Sequence, residues 1–370
     1  MRRLKVLQLL PALESGGVER STLEIAAALV AAGHEALVVS AGGRLVPALE
    51  STGARHVALD TGRKSPATLL AARPLRALIE RERPDLLHVR SRLPAWVARL
   101  ALRGIPAKRR PRLVTTVHGL NSPSGYSRVM TTGERVICVS GTVRDYVLRH
   151  YPDTDPGKLR VIPRGIDPSA FLRAPAPDRA ARDWAAGLFP ALAGDGPLLL
   201  LPGRGTRLKG HLDALDLLAA LRGDGVDARL WMPGSRQPGR EDYLAELEQE
   251  AATRGIGGAV VFSDATDRIA RAYAASDLVL QLSRKPEAFG RTVVEALSVG
   301  RPVLGWDHGG AGELLRELWP AGAVAPFDAA ALARRARELV DTPQALPGSI
   351  PYSLEAMQRA TLAVYAELAD

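Results

Sequence analysis

Residues Ser283–Glu313 read S-R-K-P-E-A-F-G-R-T-V-V-E-A-L-S-V-G-R-P-V-L-G-W-D-H-G-G-A-G-E, and this stretch decides the fold. The apolar run Leu278–Leu282 comes just before it and predicts a buried strand. Residues 292–298 then predict a short helix, and Val303–Trp306 predicts another strand. A strand, a loop, a helix and a strand in this order predict a parallel sheet. Open α/β sheets bind their ligands at the carboxyl edge of such strands.

Two carboxylates, Glu287 and Glu295, stand in this stretch. Eight helical residues would separate them by about 12 Å along the axis, at roughly 1.5 Å per residue. Glycoside hydrolases place their two carboxyl groups about 5–5.5 Å or 6.5–9.5 Å apart. The spacing therefore argues against a hydrolytic pair and favours two contacts on different parts of one long ligand.

The remainder of the chain repeats this alternation of strands and helices. A length of 370 residues suits two domains, and near-continuous apolar runs predict strands that are covered on both faces. We expect an N-terminal Rossmann-like domain over residues 1–172 and a second one over residues 173–352. A final helix is predicted over residues 353–370.

Two glycine loops follow predicted strands and are suited to binding phosphate. Gly16 and Gly17 precede a helix, so that backbone N–H groups can approach an anion at the helix N-terminus. The second loop, Gly203–Gly210, carries the cations Arg204 and Lys209, which suit a diphosphate. Neither loop matches the G-x-G-x-x-G or the Walker A pattern.

The motif Glu287-x-Phe289-Gly290, with Glu295 eight residues after Glu287, resembles the signature of the retaining glycosyltransferases of family 4. The glycines around Gly309–Gly312 and the Gly-Arg and Lys-Gly pairs of the second loop fit the same family. The resemblance extends from the Gly16–Gly17 loop to the last helix. It implies the GT-B fold, in which two Rossmann-like doubly wound parallel-sheet domains face a central cleft. It also implies that the C-terminal helix, residues 353–370, packs back on the first domain.

The resemblance implies a role for each candidate site residue. Arg204, Lys209 and the Gly16–Gly17 loop would hold the diphosphate of a nucleotide-sugar donor. His118 at a strand end would orient the sugar, with His88 and Arg92 as weaker candidates for acceptor contacts. The remaining candidates are donor-binding: Glu287, Ala288, Phe289, Gly290 and Arg291 for the sugar, Glu295 for the ribose, and Phe262 and Ser263 near the base.

The net charge of +9 is unevenly distributed. Residues 1–172 carry 27 Lys+Arg and 14 Asp+Glu, whereas residues 173–370 carry 22 and 26. The basic half predicts an anionic partner, either a glycan, lipid-linked or phosphorylated acceptor or the anionic surface of a membrane. Nucleic acid is not expected, since motifs for its recognition and stacking aromatics are lacking.

No cofactor is expected. No His/Cys cluster has metal-ligand spacing. The Asp-x-Asp pair Asp153 and Asp155 lies between two prolines and predicts a turn. The one cysteine, Cys138, excludes an internal disulfide and favours a reducing compartment. We therefore expect a cytoplasmic protein, with peripheral contact with the inner face of the cell membrane as a further prediction.

The function that the resemblance implies is transfer of a sugar, with retention, to a glycan or lipid-linked acceptor. The Trp306–His308 variant of the glycine loop is similar to that of bacterial enzymes that build lipopolysaccharide core or other surface glycans. Three alternatives remain. They are an epimerase or phosphorylase of the same fold, a nucleotide-sugar-binding protein without turnover, and a basic nucleic-acid binder.

Overall fold

The computed structural model describes residues 2–14, 16–342 and 344–369. Ser15, which belongs to the first glycine loop, therefore lies outside the described residues, as do Met1, Pro343 and Asp370. The chain divides into two compact units. Unit 1 comprises Met1–Gly165 with Leu354–Asp370, and unit 2 comprises Ile166–Ser353. Across the described ranges, every helix is too short or too polar to span a lipid bilayer.

Unit 1 is built on seven parallel strands, most of them short apolar runs with buried side chains. They are β1 (Lys5–Leu9), β2 (Glu35–Ser40), β3 (Arg55–Ala58), β4 (Leu86–Val89), β5 (Arg112–Val117), β6 (Arg135–Cys138) and β7 (Leu159–Val161). Their order in the sheet is β3-β2-β1-β4-β5-β6-β7. The order changes direction between β1 and β4, and a doubly wound sheet opens a crevice for ligands at such a point.

Six helices connect these strands. They are α1 (Gly17–Ala31), α2 (Val46–Glu50), α3 (Ala72–Glu82), α4 (Arg92–Arg103), α5 (Gly125–Arg128) and α6 (Gly141–His150). Of these, α1 buries Ile25, Ala26 and Leu29 against the apolar strands. Because helices of this kind cross over between parallel strands, the loops that leave the carboxyl ends of the strands collect at one edge of the sheet.

Unit 2 repeats the arrangement with six parallel strands in the order β10-β9-β8-β11-β12-β13. The strands are β8 (Leu198–Leu200), β9 (Arg229–Pro233), β10 (Val260–Ser263), β11 (Leu278–Gln281), β12 (Val303–Trp306) and β13 (Ala323–Val324). The helices are α7 (Arg179–Leu188), α8 (His211–Gly223), α9 (Glu241–Thr253), α10 (Ile269–Ala275), α11 (Arg291–Val299), α12 (Gly309–Leu318) and α13 (Ala329–Asp341). Its switch point lies between β8 and β11.

The last helix, α14 (Leu354–Ala369), belongs to unit 1. Met357, Val364 and Tyr365 are buried in the same apolar cluster as the strands and α1. The amide of Gln358 also donates to the carbonyl oxygen of Glu24 over 2.9 Å. The chain therefore returns to the core of its N-terminal half after unit 2 is complete.

Residues 166–172 group with unit 2, whereas the sequence analysis assigned them to the N-terminal domain. One backbone hydrogen bond and one from a side chain explain the difference. Ile166 N–H donates to the Tyr352 carbonyl at 3.0 Å, and the Ser298 hydroxyl donates to the Phe171 carbonyl at 2.9 Å. Phe171 is buried, so this segment completes the core of unit 2.

The predicted α/β class, with two Rossmann-like parallel sheets, is confirmed. The quoted stretch contains α11 and β12, and β11 precedes it, as the apolar pattern predicts. The strand β13 was not predicted, because its two residues are too few to show a hydrophobic period.

Candidate functional site

The switch point of unit 2 brings two of the predicted loops together. Strands β8 and β11 are hydrogen-bonded neighbours and run parallel to each other. The loop after β8 carries Arg204 and Lys209, and the loop after β11 carries Glu287. Because neighbouring parallel strands end at the same edge, these polar side chains meet at the place where such sheets bind ligands.

Lys209 and Glu287 form an ion pair in this structure. The carboxylate oxygen Oε1 of Glu287 accepts from Lys209 Nζ and from the Ser283 hydroxyl, the latter at 2.6 Å. Its Oε2 accepts from the Gln281 amide at 3.2 Å. Burial by itself raises the pKa of Glu287, but the charge of Lys209 and these hydrogen bonds outweigh it and lower the pKa. Glu287 is therefore an ionised, oriented acceptor at neutral pH.

The sequence analysis did not assign roles to Gln281 and Ser283. Both are buried, at 5% exposure each, and both are bonded to the carboxylate. Gln281 was visible as a polar residue at the end of an apolar strand. Such a residue needs a hydrogen-bonding partner when buried, which is a signal that sequence reasoning can use.

Glycines allow the loop that carries Glu287 to lie against the start of α12. A Cβ on Gly309, which has φ of +61°, would lie 2.7 Å from the Glu287 carbonyl oxygen. A Cβ on Gly310 would lie 2.5 Å from the carbonyl oxygen of Ala288. The space is used by a hydrogen bond of 2.7 Å from Gly310 N–H to the Glu287 carbonyl. Glycine is therefore required here by close backbone approach.

Phe289 and Gly290 complete this loop. The Phe289 side chain is buried and its ring meets the Tyr352 ring edge-on, with centroids 5.7 Å apart. Gly290 has φ of +102° and precedes the first turn of α11, with no side-chain cap. The side chain of Phe289 thus anchors the loop, and only its backbone can serve the predicted donor contact.

Glu295 is held separately from Glu287, within α11. It is 9% exposed, and it accepts hydrogen bonds from the Tyr273 hydroxyl at 3.0 Å and from Arg291 Nε at 3.2 Å. Burial, together with the charge of Glu295, raises the pKa of Tyr273 well above its ordinary value, so this hydroxyl stays a donor. The two carboxylates therefore have different partners, as expected for contacts with different parts of one ligand.

Arg204 differs from Lys209 in having no partner for its charge. Its side chain is exposed, and the described residues offer its guanidinium no hydrogen bond or ion pair. Its backbone is fixed by two flanking bonds to the loop after β9. Gly203 N–H donates to the Pro233 carbonyl at 3.0 Å, and Gly205 N–H donates to the Gly234 carbonyl at 3.1 Å. The loop therefore presents one unpaired cation, Arg204, and two paired cations, Lys209 with Glu287 and Arg207 with Glu246.

Ser263 was predicted to lie near the base, but its hydroxyl and its carbonyl form hydrogen bonds with other residues of the protein. Its hydroxyl accepts from Trp231 Nε1 at 3.0 Å and donates to the Asp264 carbonyl at 3.1 Å. Its carbonyl accepts from the N–H groups of Gly234 and Arg236. Ser263 thus orders the adjoining loop, while the neighbouring Phe262 is half-buried at the end of β10.

In unit 1, His118 follows β5 and is fixed by a cation. A guanidinium nitrogen of Arg164 meets His118 Nδ1. Arginine only donates hydrogen bonds, so Nδ1 must accept, and the proton of the neutral ring lies on Nε2. Nε2 is buried and has no partner among the described residues. Burial lowers the pKa of His118 well below its ordinary value, and the charges of Arg164 and Arg90 lower it further.

His88 and Arg92, which were predicted to contact the acceptor substrate, lie in different environments. His88 is 1% exposed, with Nδ1 bonded to the Tyr365 hydroxyl at 2.5 Å and Nε2 bonded to the Thr116 hydroxyl at 2.6 Å. Both ring nitrogens are satisfied inside the core, so the prediction of an acceptor contact for His88 is wrong. Arg92, at the start of α4, lines a cavity together with His118.

The predicted phosphate loop at Gly16 and Gly17 begins α1. Gly16 has φ of +140° and precedes the helix without a side-chain cap. A Cβ on Gly17 would meet nothing within 4 Å. A Cβ on Gly16 would lie 2.7 Å from a carboxylate oxygen of Glu19, so an acidic side chain of the first turn already lies beside this helix N-terminus. Among the described residues, no three His, Cys, Asp or Glu side chains are grouped so as to hold a metal ion.

Two family models match the chain. The model of Glycosyltransferase Family 4 matches residues 15–170, and that of Glycosyl transferases group 1 matches residues 189–349. The D-inositol 3-phosphate glycosyltransferase of Jonesia denitrificans is 35% identical over 163 residues, which are 42% of this chain and 37% of that protein. The chain thus matches well under half the length of this curated relative.

Solved structures cover the chain more completely. The crystal structure of a glycosyltransferase from Rickettsia africae has a TM-score of 0.85 and 27% identity, over 100% of this chain and 99% of that one. Anabaena HepE, solved in complex with UDP and glucose, has a TM-score of 0.76 and 23% identity, over 100% and 96% of the two chains. The chain therefore belongs to the glycosyltransferases of the GT-B fold, with a family 4 domain followed by a group 1 domain.

Proposed function

We propose that this protein is a retaining, metal-independent glycosyltransferase that moves a sugar from a nucleotide-diphosphate sugar to an acceptor. The observation that carries the proposal is the Lys209–Glu287 pair at the switch point of unit 2, with the unpaired Arg204 on the same loop as Lys209. A nucleotide sugar presents a diphosphate next to sugar hydroxyls. Cations beside an ionised carboxylate match that combination.

In the proposed reaction, a hydroxyl oxygen of the acceptor bonds to the anomeric carbon on the face from which the diphosphate departs, while the bond from that carbon to the diphosphate oxygen breaks, so that the configuration is retained. The electron pair of the broken bond stays on the diphosphate, and the hydroxyl proton passes to the diphosphate or to water. Negative charge grows on the leaving group, and preorganised donors stabilise it. Arg204, Lys209 and the N–H groups beginning at Gly16 and Gly17 have this role.

The two carboxylates bind the neutral parts of the donor. Glu287 accepts hydrogen bonds from sugar hydroxyls, beside the backbone of Ala288–Arg291, and Glu295 accepts them from the ribose. Both are oriented by protein donors before the substrate arrives. His118 donates from Nε2, since Arg164 holds its other nitrogen. Each contact accelerates the reaction mainly by positioning.

Metal independence follows in this proposal from the cations that face the diphosphate. Arg204 and Lys209 supply the positive charge that a divalent ion supplies in metal-dependent enzymes. Turnover should therefore persist unchanged in excess chelator. Loss of turnover in the chelator, with recovery on adding Mg²⁺ or Mn²⁺, would contradict this part of the proposal.

We propose that the acceptor is a glycan or lipid-linked molecule of a bacterial surface polysaccharide such as lipopolysaccharide, and that the protein works in the cytoplasm at the membrane periphery. The basic character of the N-terminal half supports this, including the exposed run Lys108–Arg110. Binding to anionic vesicles should be measurable at low salt and should weaken as salt rises. Equal binding to neutral and anionic vesicles would contradict the proposed contact with an anionic membrane.

The test is a panel of sugar nucleotides offered to the purified protein. Binding is measured as a shift in unfolding temperature, and turnover as release of nucleoside diphosphate with acceptor. Arg204→Gln and Glu287→Gln should each reduce turnover by about 10²–10³-fold, as loss of an oxyanion-hole donor does. The matched controls are Arg207→Gln, whose side chain pairs with Glu246, and Lys285→Gln, an exposed cation near Glu287.

The outcomes separate the alternatives. Isomerisation of the donor without an acceptor would indicate an epimerase, and phosphate-dependent breakdown of a glycan would indicate a phosphorylase. A temperature shift without any turnover, unaffected by Glu287→Gln, would indicate a binding protein. Equal loss of turnover in the control variants would show that Arg204 and Glu287 have no special role.

A further inference from the structure

A cavity of about 340 Å³ opens in unit 1 at the carboxyl ends of β4 and β5. Three cationic side chains line it, Lys64, Arg90 and Arg92, and the lining contains no aspartate or glutamate. His118 lines the same cavity. A volume of this size lies at the lower end of the range for small-molecule sites. Three cations without a carboxylate predict that its occupant is an anion.

Arg90 is the strongest of these observations, because its charge is buried. The residue is 3% exposed, and it donates from Nε to the Gln8 side chain at 2.8 Å and from one terminal nitrogen to the Ser21 hydroxyl at 3.2 Å. The other terminal nitrogen is buried and has no partner with hydrogen-bond geometry. The Tyr365 hydroxyl and the charge of the Glu24 carboxylate both favour the Arg90 cation, but burial outweighs them and lowers the pKa of Arg90.

A buried cation with an unused donor is unfavourable unless an anion compensates it. Arg164 adds to this positive field, since its guanidinium donates to the same Ser21 hydroxyl that Arg90 bonds. The Glu24 carboxylate compensates the Arg90 charge only in part, because burial still lowers the pKa of Arg90. An incoming anion would supply the missing compensation.

Arg92 and Lys64 complete the site from its open side. The Arg92 guanidinium donates to the Ser127 hydroxyl at 3.2 Å and lies over the Tyr126 ring, 5.3 Å from its centroid. Lys64 is exposed, with no hydrogen bond or ion pair to any described residue. Arg92 is thus preorganised, whereas Lys64 is free to close on a ligand.

We propose that this cavity selects an acceptor that carries a phosphate group, bound by Arg90, Arg92 and Lys64. This inference rests on the proposed transferase function and narrows its acceptor to a phosphorylated sugar or polyol. The phosphate belongs either to a free molecule or to the headgroup of a lipid.

The test compares phosphorylated compounds with their neutral counterparts. Binding to the full-length protein is measured by calorimetry for myo-inositol phosphate against myo-inositol and for glucose 6-phosphate against glucose. The third arm compares vesicles that contain phosphatidylinositol phosphate with vesicles that contain phosphatidylinositol. At least one phosphate compound should bind about 10-fold or more tightly than its neutral counterpart, the size expected for charge-assisted hydrogen bonds. The arm that responds identifies the source of the phosphate.

The variants Lys64→Gln and Arg92→Gln should each remove most of that preference. Neither is buried deeply enough to threaten folding. The control is Arg103→Gln, an exposed cation at the other end of α4, about 16 Å from Arg92 at 1.5 Å per residue. Equal affinity for phosphorylated and neutral compounds in all three arms would overturn the proposal, as would an equal loss of preference in the control.

Binding of nucleoside diphosphate is measured in parallel and should be unchanged in all three variants. This separates the two proposals. If phosphate selectivity is present but no sugar is transferred, the acceptor site stands and the transferase assignment fails. If sugar is transferred equally well to neutral acceptors, the transferase assignment stands and the phosphate proposal fails.

Discussion

Lys209 and Glu287 come from loops that follow two neighbouring strands, and they form an ion pair although they lie 78 residues apart. The pair puts a cation and an ionised carboxylate at one point of the edge of the sheet. Its side chains are 28% and 23% exposed, so solvent screens it only partly. The pairing also makes each residue's contribution dependent on the other.

We expect this dependence to appear in a double-mutant cycle. Lys209→Met leaves a half-buried carboxylate with only neutral donors, and Glu287→Gln leaves a half-buried ammonium. Each single change should lower the free energy of unfolding, and the double change should cost less than their sum by about 1 kcal/mol. Urea unfolding of the four proteins measures the coupling. A coupling within 0.3 kcal/mol or so of zero would mean that the pair is not formed in solution.

The ion pair also predicts a pH dependence. Because Lys209 and the hydrogen-bond donors lower the pKa of Glu287, the carboxylate should stay ionised as pH falls to the ordinary value of 4.5 and somewhat below. Its contribution to stability is complete above the unfolded-state pKa and is lost as pH falls through the lowered folded-state pKa. In Lys209→Met the cation that lowers the pKa of Glu287 is absent, so burial raises this pKa. The acidic limb of the pH–rate profile should therefore move to higher pH. A limb at the same pH in both proteins would contradict this assignment.

Buried neutral histidines should make the protein sensitive to acid. Burial, aided by the charge of Lys209, lowers the pKa of His211 to about 4, and the ring is fully buried in unit 2. Below pH 6.5 the unfolded chain binds a proton there that the folded unit does not, so stability falls by up to about 1.4 kcal/mol per pH unit.

His211→Gln should remove this part of the slope between pH 6.5 and 4. Tryptophan fluorescence follows unit 2, which contains four of the five tryptophans: Trp184, Trp231, Trp306 and Trp319. An unchanged slope in the variant would show that His211 is not the group responsible. His150, an exposed ring in unit 1, is the matched site for a control substitution.

Gly310 should be intolerant of a side chain. In Gly310→Ala, the Cβ would lie 2.5 Å from the Ala288 carbonyl oxygen, so the loop that carries Glu287 must shift. We expect a loss of more than about 1 kcal/mol in unfolding free energy, together with reduced turnover.

The control is Gly187→Ala in α7, where a Cβ meets nothing within 4 Å. There alanine should stabilise the helix by about 0.4–1 kcal/mol, because glycine has more conformational freedom to lose on folding. Similar effects of the two substitutions on stability would mean that close packing at Gly310 does not constrain the loop.

The amino-acid sequence by itself determined the α/β class, the two parallel sheets and the order of nearly all elements. Apolar runs and helical periods are local patterns, and strands such as β4 and helices such as α7 need no distant information. The sequence also indicated Glu287, Arg204 and Lys209 as candidates, because a motif shows residue types at fixed spacing.

Only the tertiary structure decided which of these groups meet. The pairing of Lys209 with Glu287, the inward turn of Ser263 and the burial of His88 depend on which strands are neighbours and in what register. The buried charge of Arg90 depends on the same long-range contacts, since burial and the charges that face it are properties of the packed chain. Turns and hydrophobic periods depend on residues that are close to one another in sequence. The electrostatic environment of a side chain is set by residues tens or hundreds of positions away.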